Sequence, residues 1–168
     1  MIRNAAEADC MSLTALSIQV WLHTYATEGV SDDLAREVLS TFTPEYFRKI
    51  IADPGYRLFV KADGENLLGY ILLDLDSRCR EENFDGVEVD TLYVQEHFHG
   101  RGIGRALLGH AIDSVGARLW LTAWVGNARA LAFYRAYGFI DIGTAWHVFE
   151  DQKYENRILA YQKARVTT

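Results

Sequence analysis

Three alternate glycines and two arginines stand together in His99-Gly100-Arg101-Gly102-Ile103-Gly104-Arg105, between a β-type run ending at Val94 and a helical period. Glycine lets the main chain approach a ligand closely and adopt positive φ. The first turn of a helix leaves N–H groups unpaired, and these favour negative charge. A strand, a glycine turn and a helix start in that order therefore make an anion site on the scale of a pyrophosphate. Arg101 and Arg105 can add charge-assisted contacts. Two common nucleotide patterns fail here. Counted from Gly102, Leu107 stands where the last glycine of GxGxxG belongs. Gly104 and Gly109 have the spacing of a phosphate loop, but His110 and Ala111 replace its lysine and hydroxyl.

The elements that must position this loop are readable from pattern. Ile2–Ala5 is a short strand. Asp9 can cap a helix running to about Thr27, with Leu13, Leu16 and Val20 on one stripe and Gly29 ending it. Ser31, followed by Asp32 and Asp33, starts a second helix, and Thr43-Pro44 starts a third. Asp53-Pro54-Gly55-Tyr56 is a turn, and Arg57–Ala62 with Asn66–Leu75 form a hairpin about Asp63-Gly64. Val87–Val94 is a strand rich in β-branched residues. Gly104–Gly116 is helical, with Leu107, Ala111 and Val115 recurring every fourth residue. Leu119–Val125 is a strand. Asn127–Tyr137 is a helix capped by Asn127 and stopped by Gly138. Phe139–Ile142, His147–Phe149 and Ile158–Gln162 are further strands. Early hairpins followed by alternating strands and helices predict an α+β fold with a mixed sheet.

The bulk properties narrow the classes of function. At 168 residues the chain reads as a single domain, 1–168, able to bury a core without metal or disulfide. A formal charge of −6 argues against nucleic acid as a partner, since such binding needs clustered basic residues. It mildly suits a cationic substrate, although solubility alone explains it equally well. No apolar run is long enough to cross a bilayer, so no membrane partner is expected. The N-terminus has no secretion-signal pattern, and a reduced cytoplasmic location follows as the default. Cys10 and Cys79 form no CxxC pair and read as incidental thiols. His97 and His99 lack acid or thiol partners at metal spacing, so no metal is expected.

Over most of the chain, including the opening Ile2–Ala5 strand, and specifically in the glycine loop and in a segment about thirty residues on, the sequence resembles the GNAT superfamily of N-acetyltransferases. That family's pattern, Gln/Arg-x-x-Gly-x-Gly/Ala, matches His99 to Gly104 with histidine in the Gln/Arg place. Its second segment is matched by Asn127, Ala130, Leu131, Phe133, Tyr134, Gly138 and Phe139. The resemblance implies the GNAT fold: a central, mostly antiparallel mixed sheet flanked by helices, splayed into a V between Val87–Val94 and Leu119–Val125. It implies acetyl-CoA as cosubstrate. The diphosphate would lie on His99, Gly100, Arg101, Gly102, Ile103, Gly104 and Arg105, and the pantetheine arm beside Leu92 and Val94, pairing like an added strand. Asn127, a helix cap in its own right, would also touch the coenzyme, as would Tyr134.

Acetyl transfer to an alkylamine needs the amine neutral, and reaching that state from pKa ~10.4 at pH 7 takes about 4–5 kcal/mol. Tyr134 is the candidate acid for the departing thiolate, its alternative role being packing. Glu88, in the strand leading to the loop, is the candidate base, directly or through water. Asp90 is the reserve. Either acid could equally be solvated or salt-bridged. The acceptor reads as a primary amine of a small molecule. Seven acids between Asp74 and Asp90 (Asp74, Asp76, Glu81, Glu82, Asp85, Glu88 and Asp90), against Arg78 and Arg80, would suit a polyamine if they line the acceptor side. A looser resemblance to the bacterial spermidine/spermine acetyltransferases, in Ser17–Tyr25 and Leu121–Trp124, points the same way, although Asn156 replaces that branch's aspartate in the tail Glu150–Asn156. Trp21, Tyr25 and Trp146 shape either the acceptor pocket or the core. A protein N-terminus or lysine as acceptor, a non-catalytic acyl-CoA sensor, an acyl group other than acetyl, and a homodimer through the late strands all stay open.

Overall fold

Ser31 and Thr43 each begin a helix by accepting a main-chain N–H three residues on, Leu34 N at 3.2 Å and Tyr46 N at 3.1 Å. The computed structural model describes residues 1–81, 83–149 and 151–163; Glu82, counted among the acids above, and Glu150, at the start of the tail compared above, lie outside the described residues. The elements are β1 (Ile2–Asn4), α1 (Cys10–Tyr25), α2 (Asp32–Thr41), α3 (Pro44–Ala52), β2 (Tyr56–Asp63) and β3 (Asn66–Asp74), then β4 (Val87–Val94), α4 (Ile103–Val115), β5 (Arg118–Trp124), α5 (Ala128–Tyr137), β6 (Ile140–Phe149) and β7 (Gln152–Gln162).

Three predicted features need correcting. Asp9 is not a side-chain cap. Its carboxylate turns back to accept Ala6 N at 2.8 Å and both arms of the Arg3 guanidinium at 2.7 and 2.9 Å, tying β1 to the helix start. Helix α1 stops at Tyr25, where Ala26 leaves helical geometry at ψ 50, and Gly29 shapes only the loop beyond. The segments Phe139–Ile142 and His147–Phe149 belong to one long strand, β6, which forms a hairpin with an equally extended β7. The small residues Gly143–Ala145 between them and the polar run Gln152–Arg157 of the partner strand hid this pairing, because an edge hairpin buries little of its surface.

Among the described residues seven strands form one sheet in the order β1-β2-β3-β4-β5-β7-β6, antiparallel throughout except between β4 and β5. Alternation sends neighbouring residues of each strand to opposite layers. Leu58, Val60, Tyr70 and Leu72 pack with Leu13, Val38 and Phe47 under α1, α2 and α3. Phe59, Ile71, Leu121 and Leu159 pack with Leu107, Leu108 and Leu131 under α4 and α5. Each fully buried leucine contributes about 2 kcal/mol of apolar burial. The parallel pair is joined only through Val87 with Leu119 and Glu88 with Trp120. Past that point β4 and β5 part, and the predicted V opens towards their C-terminal ends, where α4 and α5 begin.

Candidate active site

One wall of the V ends in the glycine loop. A single 3-10 turn, Glu96–Phe98, leads from β4 to His99, and Gly100 and Gly102 follow with φ +76° and +77°. Gly102 sits at the helix start in the left-handed region, so it offers no side chain to the first amides of α4. Ala106 is the first residue whose N–H bonds back into the helix, to Gly102 O at 3.0 Å. The amides ahead of it are left for a ligand. The Arg101 guanidinium lies over the Phe98 ring and that of Arg105 over Tyr137, each 5.0 Å from the centroid, and both side chains are exposed. Neither pairs with a carboxylate among the described residues. Gly104 plays a packing part, because a Cβ there would stand 2.9 Å from the Phe133 ring of α5. His99 turns inward, its Nε2 lying 2.7 Å from Val94 O.

The open edge of β4 follows from register. Gln95 N donates to Leu68 O, which makes Gly69 and Val94 a pair without mutual hydrogen bonds. In an antiparallel ladder such pairs alternate with bonded ones. The N–H and C=O of Val94 and of Leu92, opposite Ile71, therefore point away from β3 and into the V. An amide-bearing chain can pair with that edge. The Val94 carbonyl is already shared with His99.

Below this edge the ladder is interrupted. Leu72 pairs with Thr91 and Leu73 with Val89, so Asp90 is an extra, bulged residue. The simple alternation that placed Glu88 and Asp90 on one face does not run through a bulge. The two acids nevertheless interact, since Asp90 raises the pKa of Glu88. Burial is the main cause of that rise, a Ser77 hydrogen bond opposes it, and the charges of Asp90 and Asp74 add to it. The Asp90 carboxyl is raised too, first by crowding that strips its hydration, against the 2.7 Å bond from Thr91 Oγ1. Solvent nevertheless reaches the Asp90 side chain. Its charge is felt by the phenols of Tyr46, Tyr56, Tyr70 and Tyr93.

Tyr134 reaches the V from the other layer. Its ring is 9% exposed and is held edge-on by Phe133 and Phe139 at 5.2 and 5.4 Å. Burial pushes its hydroxyl well above the ordinary tyrosine range. Tyr93, whose own phenol is raised chiefly by burial, packs in the α1–α3 layer. The two tyrosines belong to the two different layers, Tyr134 under α4 and α5 and Tyr93 under α1, α2 and α3. Asn127, at the mouth of β5, caps α5 by accepting Ala130 N at 3.1 Å, which leaves its amide NH₂ unused by the cap.

The acidic run does not act as one surface. Asp74 accepts the N–H groups of Asp76 and Ser77, Asp76 lies against Gly55, and Glu81 against Gly143 of β6. Among the described residues of the run, Asp74, Glu88 and Asp90 lie close enough to feel one another's charge, beside the short β4–β5 pairing. Of the three candidate aromatics, Trp21 and Tyr25 belong to a chain of rings near the mouth. Trp146 does not. It pairs with Glu155, one residue out of phase with the Trp124–Asn156 pair, so it faces the other layer and is 58% exposed. Sequence reasoning missed the bulge, Tyr93, and Trp120, whose Nε1 is the one buried side-chain polar atom left unpartnered among the described residues.

Residues 17–139 match the acetyltransferase (GNAT) family. The chain is 30% identical over 154 residues to an uncharacterized N-acetyltransferase of Lactobacillus delbrueckii subsp. lactis, covering 88% of this chain and 87% of that one. It is 33% identical over 101 residues to the N-alpha-acetyltransferase RimI of Mycobacterium tuberculosis, 60% of this chain and 62% of the relative. The fold is similar to that of PaiA N-acetyltransferase from Thermoplasma acidophilum in complex with coenzyme A, with a TM-score of 0.72, 17% identity, and 94% and 96% of the two chains covered.

Proposed function

The chain belongs to the GNAT acetyltransferase family, and from that premise we propose that it moves an acetyl group from acetyl-CoA to a primary amine of a small molecule, with Glu88 as base and Tyr134 as acid. One observation carries this reading. The unclaimed amides ahead of Ala106 lie at the end of the same strand whose Leu92 and Val94 main-chain groups point into the V. A diphosphate and the amide-bearing arm it carries are adjoining parts of coenzyme A, and they fit these two features in sequence. Arg101 and Arg105 hold free positive charge beside the first.

Acetyl-CoA supplies a thioester carbonyl as the acyl donor. The protein's task is to hold protons where that chemistry needs them. Glu88 sits at the apex of the V, and its raised pKa makes it a better proton acceptor than an ordinary carboxylate. Asp90, one bulge away, is the alternative acceptor. Tyr134 keeps its proton across the whole neutral range and can donate it to a leaving thiolate. Glu88, Asp90 and Asp74 together favour a cationic acceptor, and a polyamine is one candidate.

A protein N-terminus is the second reading, favoured by the likeness to RimI. Pairing of two copies would use β6, the sheet edge that carries exposed Ile140, Trp146 and Val148. The test is thiol release from acetyl-CoA across an amine panel that includes spermidine. Turnover with at least one small amine is expected. Acetyl-CoA binding by calorimetry with no release for any acceptor would establish a sensor instead.

A further inference from the structure

We propose that Tyr25 and Trp124 form a barrier across the open end of the V that admits an amine on a compact alkyl body and turns away the amino terminus of a polypeptide. The proposal rests on the acetyltransferase reading above. The rings run without interruption from Trp21 to Tyr25 (4.9 Å between centroids), from Tyr25 to Trp124 (5.4 Å) and from Trp124 to Tyr154 (6.3 Å). The run starts on α1, which packs on β3 and β4, and ends on β7. It therefore crosses from one half of the sheet to the other at a level where no backbone bond joins β4 to β5. Tyr25 stands at the end of α1, which packs on β4, and meets Trp124 of β5, so both walls of the V are joined at this ring. Trp124 is not free to swing aside. Its indole folds over Gly126, where any Cβ would collide with it, and Tyr154 backs it.

Such a wall treats the two kinds of acceptor differently. A polypeptide leaving the V would bring an amide group and a side chain every ~3.3 Å, and those amides need main-chain partners in an open trough. Ring faces and edges offer none, and an unpaired buried amide is costly. The carbon chain of an alkylamine packs on the same rings without penalty. Its ammonium is attracted by their faces and by Asp90 on the floor. Tyr25, Trp124 and Tyr154 thus act on which acceptor enters and leave the proton transfers to other groups.

The test compares kcat/KM for alkyl mono- and diamines with that for short peptides bearing free N-termini, in the wild-type protein and in Tyr25→Ala, Trp124→Ala and Trp146→Ala. Tyr25 is 40% exposed at a helix end, so its variant should fold even if that of Trp124 does not. Wild type should favour the small amines. Tyr25→Ala and Trp124→Ala should each shift the peptide-to-amine ratio towards peptides by about tenfold or more, chiefly through KM. Trp146→Ala, off the ring run, should leave the ratio where it was. A wild-type preference for peptides, or a ratio unmoved by either substitution, overturns the barrier. If no acceptor of either class is acetylated by any variant while calorimetry shows acetyl-CoA bound, the barrier falls and the coenzyme site stands. If acetyl-CoA itself does not bind, the acetyltransferase reading falls with it.

Discussion

The Nε2 atom of His99 lies 2.7 Å from the carbonyl oxygen of Val94, closing the glycine loop back onto the last residue of β4. A carbonyl can only accept, so Nε2 carries the proton, and the bond is available to the neutral ring and the imidazolium alike. The side chain that departs from the family pattern is therefore a latch that fixes where the amides of Gly100–Arg105 point. His99→Ala is expected to weaken acetyl-CoA binding by about fivefold to tenfold, the worth of roughly one hydrogen bond. Global stability should change little, since the loop is at the surface. Calorimetric titration with a thermal melt in parallel checks both, and unchanged affinity would show that the loop holds its shape without the ring.

Glu88 couples activity to stability. Its raised folded-state pKa means that the folded protein binds this proton more tightly than the unfolded chain does. That contribution to stability is complete below the ordinary carboxylate pKa and is lost as pH rises through the folded value. At neutral pH the ionised Glu88 is therefore a cost to the fold. Glu88→Gln should lower kcat by about a hundredfold or more and leave the melting temperature at pH 7 equal or higher. The wild-type rate should climb with pH through an acidic limb displaced above the usual glutamate range, and the variant should lose that limb. A limb kept in Glu88→Gln but lost in Asp90→Asn moves the base to the bulge.

The opposite sign holds at the other end of the sheet. The Arg3 guanidinium, which bonds Asp9 twice, pulls the Asp9 carboxyl below its ordinary value, against the effect of its burial. The stability this adds is present above the ordinary carboxylate pKa and is lost as pH falls through the lowered one. Arg3→Ala leaves Asp9, 8% exposed, with only the Ala6 amide, and should destabilise the protein by about 2 kcal/mol at pH 7. The deficit should shrink on acidification. Chemical denaturation at neutral and acidic pH measures it, and a pH-independent deficit would mean that packing of the arginine stem, not its charge, was lost.

How much of this was legible in the sequence depended on the range of the interactions. The glycine loop, the cap by Asn127 and the span of β4 were set by neighbours along the chain, and local chemistry found them. The splay was readable only through family resemblance, because what defines it is that β4 and β5 share just two residue pairs. Asp9 looked like a cap because an acid before an apolar period usually is one. Its true partner, Arg3, competes for the same oxygens from six residues upstream. The bulge at Asp90 left no mark, since nothing local distinguishes an extra residue from an alternating one. The meeting of Tyr25 with Trp124 joins residues about a hundred positions apart, a contact that only the assembled sheet creates.

Tyr134 allows the cleanest separation of chemistry from packing. Its ring is wedged between Phe133 and Phe139, so phenylalanine in its place keeps the volume, the edge-on contacts and the helix. Only the hydroxyl disappears. Tyr134→Phe should lower kcat by about a hundredfold while the KM for acetyl-CoA moves by no more than about threefold, because the loss falls on a proton needed in the transition state. The direction of the pKa supports a second readout. Burial holds the phenol protonated beyond the ordinary tyrosine range, so the wild-type rate should show no alkaline fall from this group up to about pH 10. Steady-state kinetics across pH with the best amine of the panel tests both. A Tyr134→Phe enzyme with wild-type kcat would mean that water protonates the thiolate and that Tyr134 is there to fill the layer beneath the V.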